Sequence, residues 1–225
     1  MKISRFAALG GTAAVVTLAL SVPALGAKTG VTVRVEGAKR TLLPATVAHA
    51  EPGSITKGGT PAGACRGSSG AGYFDNATHH RWSGTYSSGL GIAVTNILGE
   101  SHTFTSPNYW GVWVNNRFAS TGLCGLKLKP GDQLLLAPAP VKGSTYPIIL
   151  TAPAHAKVGT PFTVKASYIK KTKPLPLAHV KVTDAGALTD KHGAATVTAT
   201  KAGKVTLVAS LKGDIRAEAT VTVTR

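Results

Sequence analysis

The sequence predicts a mixed architecture: a small α+β unit followed by an all-β sandwich. Three observations carry this. Past residue 30, apolar side chains recur with period two over most of the chain. One stretch, 73–82, has them at helical spacing instead, through Tyr73, Phe74, Ala77 and Arg81 or Trp82. Beyond residue 147 there is no tryptophan or cysteine, threonine and valine take over, and lysine displaces most arginine. Hydrophobic residues make up 43% of the 225, enough for a core, which excludes a disordered polyelectrolyte. Two cysteines are too few for a disulfide-framework miniprotein or a four-cysteine zinc site.

Residues 1–27 read as a secretory signal. Lys2 and Arg5 precede an apolar run from Phe6 to Leu20, and Pro23, Ala24, Gly26 and Ala27 resemble a cleavage region, with the cut after Gly26 or Ala27. The alternative is an uncleaved anchor over 6–25. With no cysteine next to the signal and a polar alternating end, the expected mature protein is secreted and free, or held to a surface non-covalently, with no transmembrane segment once the signal is removed. In that oxidising setting Cys65 and Cys124 are expected to pair. The bridge would close a loop of about 60 residues and contribute roughly 4 kcal/mol.

Val31, Val33 and Val35 alternate with Thr32 and Arg34 as a first strand, and Leu42, Leu43 and Val47 mark a second. Residues 52–72, rich in Gly, Ser, Pro and Thr, read as a long loop holding Cys65. After the helix, strands are expected at 92–98, 109–115 and 133–136. The prolines from Pro138 to Pro147 read as a connection, with the linker at 142–147. The last segment alternates at 162–166, 180–183, 195–199, 205–210 and 217–223. Turn signals lie at Lys173-Pro174, 190–193, Ala202-Gly203 and 212–214. Six or seven short strands in about 78 residues with regular turns are the signature of a sandwich.

Residues 148–225 resemble a bacterial immunoglobulin-like domain, through Leu188-Thr189-Asp190-Lys191-His192-Gly193-Ala194-Ala195 and Ala202-Gly203-Lys204-Val205-Thr206-Leu207. The resemblance implies a spacer or low-affinity adhesion unit. Residues 109–116 carry a second likeness. Tyr109, Gly111, Trp113 and Asn115 share one strand face, Trp110, Val112 and Val114 the other, and Asn115-Asn116 suits a tight hairpin. With Pro130-Gly131-Asp132 turning into an apolar strand, residues 28–141 resemble the C-terminal domain of transcobalamin and intrinsic factor and related secreted bacterial domains. This implies a β-grasp-like fold, a small mixed sheet cradling one helix, and a cysteine pair like that of actinobacterial members. The turn glycine usual after the motif asparagine is Asn116 here. In the vertebrate transporters a separate helical domain completes the cobalamin site. No such domain is evident in this sequence, so a corrinoid site would be half complete.

For Trp110 and Trp113 the sequence leaves two roles open. Either they supply buried area, one against the helix and one at a sheet edge, or an exposed one joins Tyr109 and Asn115 in stacking on a sugar or ring-bearing ligand. No cofactor and no metal are expected. No Gly-x-Ser-x-Gly elbow, His-Glu-x-x-His pair or phosphate-binding loop occurs. His79 and His80 on a helix would point about 100° apart and could not chelate one ion alone. Glu100 and His102 share a strand face as a base with an orienting partner, the one hydrolase arrangement, yet no nucleophile follows from spacing. Asn76-Ala77-Thr78 is a formal glycosylation sequon.

The net charge of +16 falls to +14 without Lys2 and Arg5, and it comes from a shortage of acids. Residues 27–146 carry 11 basic and 5 acidic side chains, residues 147–225 carry 12 and 4. Lys170, Lys171 and Lys173 are the densest cluster. They read either as a solubilising exterior or as retention on anionic envelope polymers such as teichoic or phospholipid chains. Nucleic acid is not an expected partner, because aromatic and lysine clusters lie in different units. The sequence thus points to a secreted, non-enzymatic, envelope-associated binding protein. The alternative is a soluble carrier of a small ligand, corrinoid or glycan.

Overall fold

A computed structural model describes residues 30–183 and 186–225, so the expected signal over 1–27 lies outside the described residues. These residues are mostly β, with one α-helix. No helix among them is long and apolar enough to cross a membrane.

In the first unit β1 (Val31–Glu36), β2 (Thr41–Ala48), α1 (Gly70–Ala77), β3 (Trp82–Ser87), β4 (Gly91–Ile97), β5 (Glu100–Ser101), β6 (Asn108–Val114), β7 (Arg117–Phe118) and β8 (Gln133–Pro140) follow in order. Five strands form one mixed sheet, β2-β1-β8-β6-β7, with β1 and β8 parallel at its centre. The helix and the β3-β4-β5 sheet cover one face. There Phe74, Trp82 and Ile97 meet Val31, Val33, Val35, Leu134, Leu136 and Trp110 in a buried cluster. The period-two valines of β1 supply this face because alternate side chains of a strand point the same way. The disulfide between Cys65 and Cys124 joins the loop before α1 to the turn at Leu123–Gly125.

Two expectations need correction. The helix begins and ends earlier than 73–82. It starts at Gly70, and its first turn needs glycine because the chain is crowded there: a Cβ at Gly72 would strike the Gly67 carbonyl, and one at Gly70 would come within 2.9 Å of the Leu126 side chain. It stops at Ala77 because Thr78 Oγ1 donates 2.7 Å to the Phe74 carbonyl and His79 and His80 adopt φ of +50° and +63°. Trp82 is therefore a strand residue. Pro138 and Pro140, read as a connection, instead close β8. Asn115 N–H donates to Gln133 O, which makes that pair hydrogen-bonded; Trp113/Leu135, Gly111/Ala137 and Tyr109/Ala139 follow in alternation. Both prolines fall opposite Trp110 and Asn108 at the intervening positions, where β6 asks for no N–H.

The second unit holds β9 (Ile149–Thr151), β10 (His155–Lys157), β11 (Pro161–Lys170), β12 (Lys173–Pro176), β13 (Lys181–Val182), β14 (Ala187–Leu188), β15 (Ala194–Thr198), β16 (Gly203–Ser210) and β17 (Ala217–Thr224). One sheet runs β10-β17-β16-β13-β14; the other runs β12-β11-β15, with β9 also on β11. Val164, Val182, Val197, Leu207, Val221 and Val223, apolar members of alternating runs, fill the space between them.

The two units pack together. β8 is buried on both faces: Leu134 and Leu136 enter the first core, while Leu135, Ala137 and Ala139 join Trp113 and Ile215 in a separate cluster between the units. Beside it lies a polar knot. Glu36, 1% exposed, accepts from Arg34 at 3.0 Å, from Arg216 at 3.1 Å and from Thr41, whose hydroxyl also bonds Glu218. Arg34 in turn donates to the Arg216 carbonyl at 2.9 Å. Burial pushes the Glu36 carboxyl above its ordinary value, outweighing the opposite pull of the two arginines.

Candidate functional site

β6 places the residues that sequence singled out. Its alternation sends Trp110 into the first core and Trp113 to the opposite face, towards the second unit. Both indoles are covered, at 5% and 2% exposure, so neither offers a free stacking face. Trp110 packs edge-on to His102 with centroids 4.9 Å apart. Its Nε1, alone among the buried side-chain nitrogens and oxygens of the described residues, has no hydrogen-bond partner. Asn115 and Asn116, with φ of +50° and +63°, form the two-residue turn into β7, a conformation asparagine tolerates. Asn115 does not face a ligand space. Its Oδ1 accepts from Gln133 N–H at 2.9 Å and its Nδ2 donates to Asp132 at 2.9 Å, which pins this turn to the one at Gly131.

The hairpin borders a cleft of about 510 Å³ between the two units. From the first unit come Tyr109, Trp113, Arg117 and Phe118; from the second, Tyr146 and Lys171. Phe118 is 56% exposed and stands edge-on to Trp113, centroids 5.2 Å apart and planes at 84°. Tyr109 stacks on Phe104 at 4.8 Å, and Tyr146 packs against Tyr168 at 5.0 Å. Tyr146 N–H also donates 3.0 Å to Asp214, whose carboxyl is pushed up by burial against that hydrogen bond. Lys171 sits in the tight turn between β11 and β12 at φ +56°. Arg117 and Lys171 are the charged side chains of the lining, both cations.

Tyr109, Trp113 and Lys171 are thus brought onto one cleft. Trp110, Asn115, Lys170 and Lys173 do not line it; Lys170 and Lys173 face each other across the exposed β11–β12 pair. Phe118, Arg117 and Tyr146 were not singled out from sequence. Arg117 and Phe118 occupy a two-residue strand with no alternating run to mark it, and Tyr146 stands in the segment read as linker. The local signal available for Phe118 was its place just past the Asn-Asn turn, opposite Trp113.

The two acid–histidine pairs are built differently. Glu100 Oε1 bonds His102 Nε2 at 2.7 Å and accepts from Ala38 N–H at 2.6 Å. Burial opposes the change, yet the bonds from His102 and Ala38, with the charges of His102 and Arg216, hold the Glu100 carboxyl below its ordinary value. Asp75, buried, accepts from Trp82 Nε1 at 2.6 Å and pairs with His80 at 2.7 Å. His79 and His80 lie past the helix rather than on it. No cluster of three or more His, Cys, Asp or Glu that could hold a metal occurs among the described residues. Comparison of the chain with protein families, curated proteins and solved structures finds no match.

Proposed function

We propose that this chain is a secreted, non-enzymatic binding protein of a bacterial envelope. In this reading the first unit is a transcobalamin C-terminal-like, β-grasp-like domain, consistent with a mixed sheet carrying one helix on one face. The second is an immunoglobulin-like sandwich, consistent with its two packed sheets, and serves as spacer and basic retention surface. The observation that carries the reading is the cleft, where rings from both units and cations from both units surround one space. At about 510 Å³ it falls within the range of about 300–1,000 Å³ usual for small-molecule sites. Lys170 and Lys173 act outside it, as exposed charges that hold the protein near anionic polymer.

The test is binding of the purified protein to bacterial cell envelopes at low and high salt. Wild type is expected to bind and to lose part of that binding with salt, as exposed charges are screened. A Lys170→Gln, Lys173→Gln double variant should lose mostly the salt-sensitive part, and Phe118→Ala mostly the salt-resistant part. Absence of binding in both conditions overturns the envelope reading.

A further inference from the structure

We infer that the cleft takes an anionic saccharide unit, its ring against Phe118 and its carboxylate or phosphate between Arg117 and Lys171. This rests on the reading of the cleft as a ligand site and names the chemistry that site recognises. Three features lead to it.

The first is Phe118. An aromatic ring 56% exposed on a two-residue strand adds little to a core and is left open where it lines the cleft. Its setting is fixed: the asparagine turn sets the hairpin, and Trp113 supports the ring edge-on. A rigid aromatic platform of this kind holds a ligand at little entropic cost.

The second is that, of the two rings meeting edge-on at 84°, only Phe118 keeps a free face, because Trp113 is covered. A nucleobase stacks best between or upon parallel faces. A sugar ring instead presents C–H groups to one face and hydroxyls around its rim. One free aromatic face, with Tyr109, Asn116 and Thr145 adding polar groups to the same lining, suits that shape.

The third is charge. Arg117 follows the asparagine turn on one unit, and Lys171 tips the β11–β12 turn on the other. No acidic side chain shares the lining with them. Lys171, at φ +56° in that turn, is exposed and lines the cleft. Arginine adds a planar fork that matches a carboxylate or phosphate.

The experiment is calorimetric titration of the full protein with glucose 1-phosphate, glucuronic acid, glucose and adenosine monophosphate. Both anionic sugars are expected to bind at least about tenfold more tightly than glucose, the size of one good charge-assisted contact. The stronger of the two identifies phosphate or carboxylate as the preferred group. Arg117→Gln and Lys171→Gln should each shrink that preference, and the double variant should bind charged and neutral sugars alike. Phe118→Ala should weaken all three sugars by about tenfold or more. Phe118, Arg117 and Lys171 are exposed, so these variants are expected to fold, and an unchanged melting temperature checks it. Equal binding of charged and neutral sugars by wild type overturns the inference, as does tighter binding of the nucleotide than of either anionic sugar. If no sugar binds but envelope binding still depends on Phe118, the inference fails and the cleft reading stands. If envelope binding ignores Phe118 as well, the cleft reading fails too.

Discussion

Arg216→Met tests whether the polar knot between the units holds them together. Arg216 Nη2 donates 2.8 Å to the Gly37 carbonyl and 3.1 Å to Glu36, while a third contact, Nη1 to Ala38 O, is long at 3.4 Å. Charge-assisted bonds contribute about 1.5–3 kcal/mol each, so the two good ones suggest about 3–6 kcal/mol. Part of this returns, because Arg34 stays 3.0 Å from Glu36 and water can enter beside a side chain already 19% exposed. The expected loss is therefore about 3 kcal/mol, the low end of what breaking a buried ion pair costs. Methionine keeps the apolar stem, so the loss reports the guanidinium. The assay is urea unfolding followed by tryptophan emission, since all three tryptophans belong to the first unit and Trp113 abuts Ile215. With a slope of about 2 kcal/mol/M, the midpoint should fall by about 1.5 M. Combining Arg216→Met with Glu36→Gln should be non-additive by more than about 1 kcal/mol. A midpoint shift under about 0.5 M, or simple additivity, would refute the coupling argued here.

Two further predictions separate bonded groups from unbonded ones. Trp82→Phe should destabilise more than Trp110→Phe by about 1.5–3 kcal/mol: both lose similar ring volume, but only Trp82 Nε1 donates to a buried carboxylate, Asp75. Equal losses in chemical denaturation would show that the Asp75 bond contributes nothing net. For Glu100, whose folded carboxyl titrates below its ordinary value of 4.5, the stabilisation is present above that value and is lost as pH falls through the folded one. The gap in melting temperature between wild type and Glu100→Gln should therefore be open at about pH 6 and close on acidification. A gap that stays constant with pH would mean that the His102 and Ala38 contacts do not favour the charged carboxylate.

What could be read from the sequence, and what could not, divides along one physical line. Alternation reports which face a side chain takes, and it survives wherever one face is buried and the other is wet. Val31, Val33 and Val35, or Val221 and Val223, are legible for that reason; the opposed placement of Trp110 and Trp113 follows from the period of the strand alone, because both faces of β6 are covered there. Alternation does not report what covers a face. Leu134, Leu135 and Leu136 form an unbroken apolar run because the second unit buries the far side of β8, and that contact spans residues far apart in sequence. The helix ends were missed for a related reason: Gly70 and Gly72 look like loop glycines until the groups they must approach, at Gly67 and Leu126, are in place. The cleft is the extreme case. Tyr109, Trp113 and Lys171 stand out individually by residue type, yet the space between them exists only once Ile215 docks on Trp113 and Arg216 on Glu36. The contacts that join the units therefore also shape the cleft. A variant that loosens the Arg216 knot should weaken cleft binding without touching a single lining residue.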